Sequence, residues 1–137
     1  MQVRDVMTEG AVSVDHDTSL QRAIGAMIQN GIGSVLVVED ERPVGILTDS
    51  DVLRAMYLAK SAPPDIPVER EMTTPLVTIA PDESIEDALA LMDSKSIKKL
   101  PVEENVDVIG MLTLTDLAFK RPELAEDLKA IDDRDPD

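Results

Sequence analysis

Two short segments set an aspartate three residues after a threonine: Thr48-Asp49-Ser50-Asp51 and Thr113-Leu114-Thr115-Asp116. At that spacing the threonine hydroxyl caps free amides at a helix start, while the acid returns a bond to the threonine amide and complements the helix dipole. A second chemical feature is the pair Lys98-Lys99, directly ahead of the apolar run Leu100 to Val102 in a chain with 13 basic against 28 acidic residues. Two adjacent ammonium groups either form a solvated face or supply a local cation site for a phosphate, with few other positive charges competing. The single histidine, His16, lies between Asp15 and Asp17. One imidazole in a polar turn without a third ligand is a poor metal site, so a solvated turn is expected and no metal. The chain shows no Ser-His-acid set, no phosphate loop of the Gly-Lys-Ser/Thr type and no cysteine nucleophile. Catalysis is therefore not expected.

The elements that must position these residues come in two copies. The segment from Gly45 to Asp51 returns as Gly110 to Asp116, an offset of 65 (110 − 45). The same offset pairs Met7-Thr8 with Met72-Thr73, Asp17 with Asp82, Ser19 with Ser84, Met27 with Met92 and Val37 with Val102, without a gap. Self-similarity at a fixed period marks a duplicated structural unit. In each copy a short apolar strand, Ala11 to Val14 or Leu76 to Ile79, precedes a polar turn and a helix. The helix carries Leu20, Ala23, Ile24, Met27 and Ile28, or Ile85, Ala88, Leu89 and Met92, spaced to form one apolar stripe. Two more strands follow, joined by a hairpin at Glu39 to Arg42 or Glu103 to Asn105, and a second helix starts after each threonine. The fold class is α/β (α+β): two tandem β-α-β-β-α repeats, expected to pack sheet to sheet across a pseudo-twofold axis because a lone copy has a small core. The division reads 1–60 for the first repeat, 61–67 for a proline-rich linker, 68–122 for the second, and 123–137 for a short helix and acidic tail.

Composition bounds the function. The chain of 137 residues has 43% hydrophobic content, enough for one domain or two small units sharing a core. A net charge of −15 repels phosphate backbones, and one Phe, one Tyr and no Trp leave no base-stacking platform, so general nucleic-acid binding is not expected. The acidity reads as a solvated surface of the kind a salt-adapted organism uses, though it also serves ordinary solubility. The absence of cysteine excludes disulfides and thiolate metal sites. The sequence shows no signal core or membrane-spanning run, so a cytoplasmic protein without membrane insertion is expected. The seven methionines, Met27 and Met92 among them, read as core filling.

The repeated order of Asp5-Val6-Met7-Thr8 and Glu71-Met72-Thr73-Thr74, of Lys99-Leu100-Pro101-Val102, and of both glycine-to-aspartate segments resembles a tandem pair of cystathionine-β-synthase (CBS) domains, a Bateman module. The resemblance covers residues 1 to about 120. It implies a regulatory module that binds an adenosine-containing ligand (AMP, ADP, ATP or S-adenosylmethionine) in clefts between the copies and controls an effector protein, with no cofactor required. It also implies a homodimer built through the helices.

By motif position the resemblance assigns Asp51 and Asp116 to ribose hydroxyls, Thr48 and Thr113 to the phosphate path, Lys98 and Lys99 to phosphates, and Ile32 and Ile97 to the adenine surroundings. A carboxylate can accept from two vicinal hydroxyls at once, which suits a ribose. Capping and ligand contact are compatible roles for these aspartates. Two departures stand out. Ser50 and Thr115 occupy positions where many members carry arginine, and Gly33-Ser34 stand in the first copy where the second has Lys98-Lys99. The clefts are therefore expected to be unequal, with a phosphorylated ligand favouring the one supplied by the lysines. The alternative is a non-catalytic dimerisation or interaction scaffold whose nucleotide clefts are empty or degenerate.

Overall fold

The computed structural model describes residues 1–59 and 66–133; most of the linker expected at 61–67 and the last four residues of the acidic tail lie outside them. The elements run β1 (Thr8–Glu9), β2 (Ser13–Asp15), α1 (Leu20–Asn30), β3 (Ser34–Glu39), β4 (Arg42–Thr48), α2 (Asp49–Ala59), α3 (Ile85–Lys95), β5 (Lys99–Glu104), β6 (Asp107–Thr113), α4 (Leu114–Lys120) and α5 (Ala125–Asp132). They form two compact units, each with a three-stranded sheet and its own helices. One is continuous, Val12–Leu76, and is here called the inserted unit; the other, the split unit, joins Met1–Ala11 to Val77–Asp137. The sequence repeats and the compact units thus partition the chain differently, because each copy's leading segment packs with the other copy's sheet.

In the inserted unit the sheet order is β2-β3-β4, with β2 parallel and β4 antiparallel to β3. Helix α1 begins at Ser19, whose hydroxyl accepts from the Arg22 amide, and ends at Gly31 with φ 62°, a left-handed stop that favours glycine. Most of the apolar stripe read from the sequence is the face it buries: Leu20, Ala23 and Met27 pack with Val35, Val37, Leu47 and Val68, and Ile24 is partly buried against them, but Ile28 at the edge of the stripe is exposed. Burial of each leucine-sized side chain contributes about 1.5–3 kcal/mol.

The split unit repeats this plan. Ser84 caps α3, which buries Ile85, Ala88 and Met92 against Leu100, Val102, Leu112 and Leu117. Its sheet order is β1-β6-β5, all antiparallel. Both hairpins turn through two left-handed residues, Asp40-Glu41 and Asn105-Val106, the primed geometry whose twist matches the flanking strands. A bulge recurs at the same repeat position, between Val37 and Val38 and between Val102 and Glu103.

The copies differ at their first strand. Where β2 makes three parallel pairs with β3, the strand expected at Leu76 to Ile79 is reduced to a single bridge, Ile79 with Val102. Prolines explain the loss. In the inserted unit the Leu36 amide donates to the Val12 carbonyl and the His16 amide to the Val38 carbonyl, each at 2.9 Å. The equivalent residues 65 positions on are Pro101 and Pro81, which have no amide hydrogen, so both flanking bonds are chemically unavailable.

Candidate functional site

The threonine-aspartate segments form capping boxes in both units. At the start of α2 the Asp51 amide donates to Thr48 Oγ1 at 3.2 Å, and the Thr48 amide donates to Asp51 Oδ2 at 2.9 Å. At the start of α4 the Asp116 amide donates to Thr113 Oγ1 and the Thr113 amide to Asp116 Oδ2, both at 3.1 Å. Each box satisfies two amides that a helix start leaves open.

A third residue, missed as a participant from sequence, completes each constellation. Thr73 donates its hydroxyl to the Asp51 carboxylate at 3.1 and 3.2 Å, and Thr8 donates to Asp116 Oδ1 at 3.1 Å. The signal that could have found them is the repeated Met-Thr pair read together with the repeated glycine. Backbone from Met7-Thr8 crosses Gly110, and backbone from Met72-Thr73 crosses Gly45. A Cβ on Gly110 would stand 2.5 Å from the Thr8 carbonyl oxygen, and one on Gly45 would stand 2.6 Å from Met72 Sδ and 3.0 Å from the Thr73 carbonyl oxygen. The glycine makes room for the segment, the segment delivers the threonine, and the threonine meets the aspartate.

The residues assigned by resemblance fall into two groups, one in each unit. The backbones of Lys98, Lys99 and Thr113 lie together at one end of the β5-β6 ladder, with Asp116 in the first turn of the helix that follows: Lys99 pairs in register with Thr113, and the Leu114 amide donates to the Lys98 carbonyl at 3.1 Å. Ile97, one residue earlier, packs against the split unit's core. The inserted unit presents Thr48 and Asp51 at the equivalent end of β3-β4, with Ser34 paired to Thr48 and the Asp49 amide donating to the Gly33 carbonyl at 2.9 Å. Ile32 there is 36% exposed.

The two carboxylates have different surroundings. Asp51 is 7% exposed, receives Thr73 at both oxygens and has Arg54 Nη1 3.7 Å from Oδ1. Asp116 is half-buried, receives the hydroxyl of exposed Thr8, and shares its unit with both lysines. A carboxylate offers about four lone-pair sites. Asp116 therefore keeps more acceptor capacity within reach of solvent than Asp51 does.

His16 is committed elsewhere: its Nδ1 lies 2.7 Å from Glu69 Oε2. That hydrogen bond raises the imidazole pKa above its ordinary value, against a smaller opposing effect of desolvation and with added help from the charges of Glu39, Glu69 and Asp17. A raised folded-state value means the pairing is complete below the ordinary histidine pKa and lost as pH rises through the raised one. Because His16 is the single histidine, its ring-proton NMR titration should show one midpoint, above that of an unstructured peptide, and Glu69→Gln should lower it. An unmoved midpoint in the variant would exclude the pair as the cause. Among the described residues no group of three or more His, Asp or Glu side chains is placed to hold a metal. No helix among them is long and apolar enough to cross a membrane. A groove of about 390 Å³ runs between α4 and α5, lined by Leu114, Thr115, Ala118, Leu128 and Asp132.

Comparison with known proteins agrees with this duplicated architecture. The family model for the CBS domain matches twice, at residues 3–58 and 64–123. The CBS domain-containing protein YhcV of Bacillus subtilis is 36% identical over 120 residues, covering 87% of this chain and 84% of its own length. The chain spans only 60% and 31% of two further curated relatives. Among solved structures, a conserved protein from Pyrococcus horikoshii superposes with a TM-score of 0.79 at 34% identity, covering 88% of this chain and 92% of its own. The CBS domain pair of protein MJ0100, solved in complex with 5′-methylthioadenosine and S-adenosyl-L-methionine, gives a TM-score of 0.78 at 23% identity, covering 87% and 94%.

Proposed function

The chain belongs to the CBS domain family, carrying the unit twice, and from that premise we propose that it is a ligand-sensing regulatory module for an adenosine-containing small molecule. The observation that supports this reading is the placement of Asp116, Thr113, Lys98 and Lys99 along the chain at one end of the split unit's sheet. Asp116 is the acceptor for the ribose hydroxyls, and the lysines supply charge for a phosphate that an otherwise acidic surface repels. Thr113 stands between them, and Ile97 adds apolar surface for the base. The ligand class is supported by the MJ0100 pair, whose complex holds two adenosine compounds. Thr48, Asp51 and Ile32 form a weaker counterpart, with Gly33 and Ser34 where the phosphate cations stand in the other copy.

In this reading the ligand acts through differential affinity for two arrangements of the module, and an effector protein in the cytoplasm responds to the preferred one. The homodimer implied by the family is supported by Ile28 on α1 and Leu53 and Tyr57 on α2, which are exposed apolar side chains. A scaffold without ligand is the second reading. The observation favouring it is that both aspartates already accept a threonine hydroxyl and cap a helix.

A thermal-shift panel of AMP, ADP, ATP, S-adenosylmethionine and NAD, followed by calorimetry on any hit, separates the two. Ligand at about a hundred times its dissociation constant adds about 2.7 kcal/mol to native-state stability, a readily visible rise in Tm. At least one adenosine compound is expected to give it, and Lys99→Ala is expected to weaken that compound. No shift from any member, with the folded state confirmed, transfers the assignment to the scaffold.

A further inference from the structure

Helix α5 lies beyond the second family match, which ends at residue 123. Its inner residues Leu128 and Ile131 are buried in the same cluster as Met92, Leu100 and Leu117. That seating fixes the last residue of the helix, Asp132, with Oδ1 3.4 Å from Lys98 Nζ. The ammonium proposed above to meet a phosphate therefore already has a carboxylate beside it, on a helix anchored by two buried residues.

We propose that α5 is a built-in competitor for the phosphate position, with Asp132 occupying Lys98 until a phosphorylated ligand displaces it. This rests on the reading of Asp116, Lys98 and Lys99 as the ligand seat. A carboxylate and a phosphate are both acceptors for the same ammonium, and the phosphate carries more charge at neutral pH. The exchange is therefore favourable but weaker than binding to an unopposed lysine would be. A ligand without phosphate leaves the pair undisturbed. The module thereby sets its response threshold for phosphorylated ligands separately from its affinity for the nucleoside part. Since Lys98 and Asp132 are both partly solvated, with 36% and 68% of their side chains exposed, the competition is modest and screened by salt.

The test is calorimetry on the full chain with AMP and adenosine as probes, using the wild type, Asp132→Asn, Lys98→Met and the double variant. Asp132→Asn should tighten AMP about two- to fivefold at low salt, leave adenosine unchanged, and lose its effect in the Lys98→Met background. Equal AMP affinity in Asp132→Asn and wild type, with Lys98→Met weakening AMP, would sink the competitor while leaving the seat intact. A gain for adenosine as large as that for AMP, or one that persists without Lys98, would replace competition with a general charge effect and overturn the proposal. Failure of AMP to bind any of the four proteins would overturn the competitor, and silence of the whole thermal-shift panel besides would remove the seat with it.

Discussion

Gly110→Ala is expected to lower stability by about 3 kcal/mol, read as a lower urea midpoint, with Gly45→Ala costing about 1 kcal/mol. The difference lies in what each new methyl group meets. At Gly110 the nearest atom is a backbone oxygen of Thr8, 2.5 Å away. Backbone cannot yield without moving β1 off β6, which breaks the bond from the Gly10 amide to the Ile109 carbonyl, 2.8 Å long, and withdraws Thr8 from Asp116. At Gly45 the nearest atom is the sulfur of Met72, a flexible side chain that can change rotamer, and the Thr73 carbonyl oxygen stands farther off at 3.0 Å. Equal losses in the two variants would show that the crossing segments have the same freedom in both units.

Asp51→Ala should cost about 3 kcal/mol without altering affinity at the seat around Asp116, while Asp116→Ala should cost about 1–2 kcal/mol and weaken the ligand there tenfold or more. Removing the buried Asp51 side chain deletes the return half of the capping box and strands the Thr73 hydroxyl and the Thr48 amide without their acceptor. Solvent can replace part of what Asp116 provides, because that carboxylate is half-buried and its partner Thr8 is exposed. Its larger contribution is to the ribose hydroxyls of the proposed ligand, and hydrogen bonds to a charged group are worth about 1.5–3 kcal/mol. Asp116→Asn, which retains one acceptor oxygen, separates capping from ligand contact. Denaturation and calorimetry on the same variants distinguish the roles; loss of affinity in the Asp51 variant instead would move the seat to the inserted unit.

Much of this was legible from residue order. The 65-residue offset located the helices, the hairpins and both capping boxes, because apolar spacing and the threonine-aspartate pattern are local signals. The family resemblance stands as the family of the chain. Strand β1 was not legible: Thr8 and Glu9 are two exposed residues with no alternation to announce a strand, and they pair only because Gly110 lets them approach. The shortened first strand of the second copy was readable in principle, since Pro81 and Pro101 forbid its flanking bonds, but only once the partner amides of the first copy were known. The exchange of leading segments left no trace in the repeat. Copies related by a fixed offset look the same whether each segment packs with its own copy or with the other.

That exchange makes one unit an insertion within another, and this orders the folding of the chain. Residues Val12–Leu76 can complete their unit from contiguous sequence, whereas the other unit needs Met1–Ala11 and Val77–Asp137 at once. Closing it around an unstructured intervening segment of this length carries an entropy penalty on the order of 4 kcal/mol, most of which disappears once the intervening segment has folded. Contact order therefore favours assembly from the inside outward, with local contacts first and the nonlocal β1-β6 pairing last. In that order the hydroxyl of Thr8 reaches Asp116 in the final step, which would make the aspartate proposed to read the ligand the one whose surroundings are finished last.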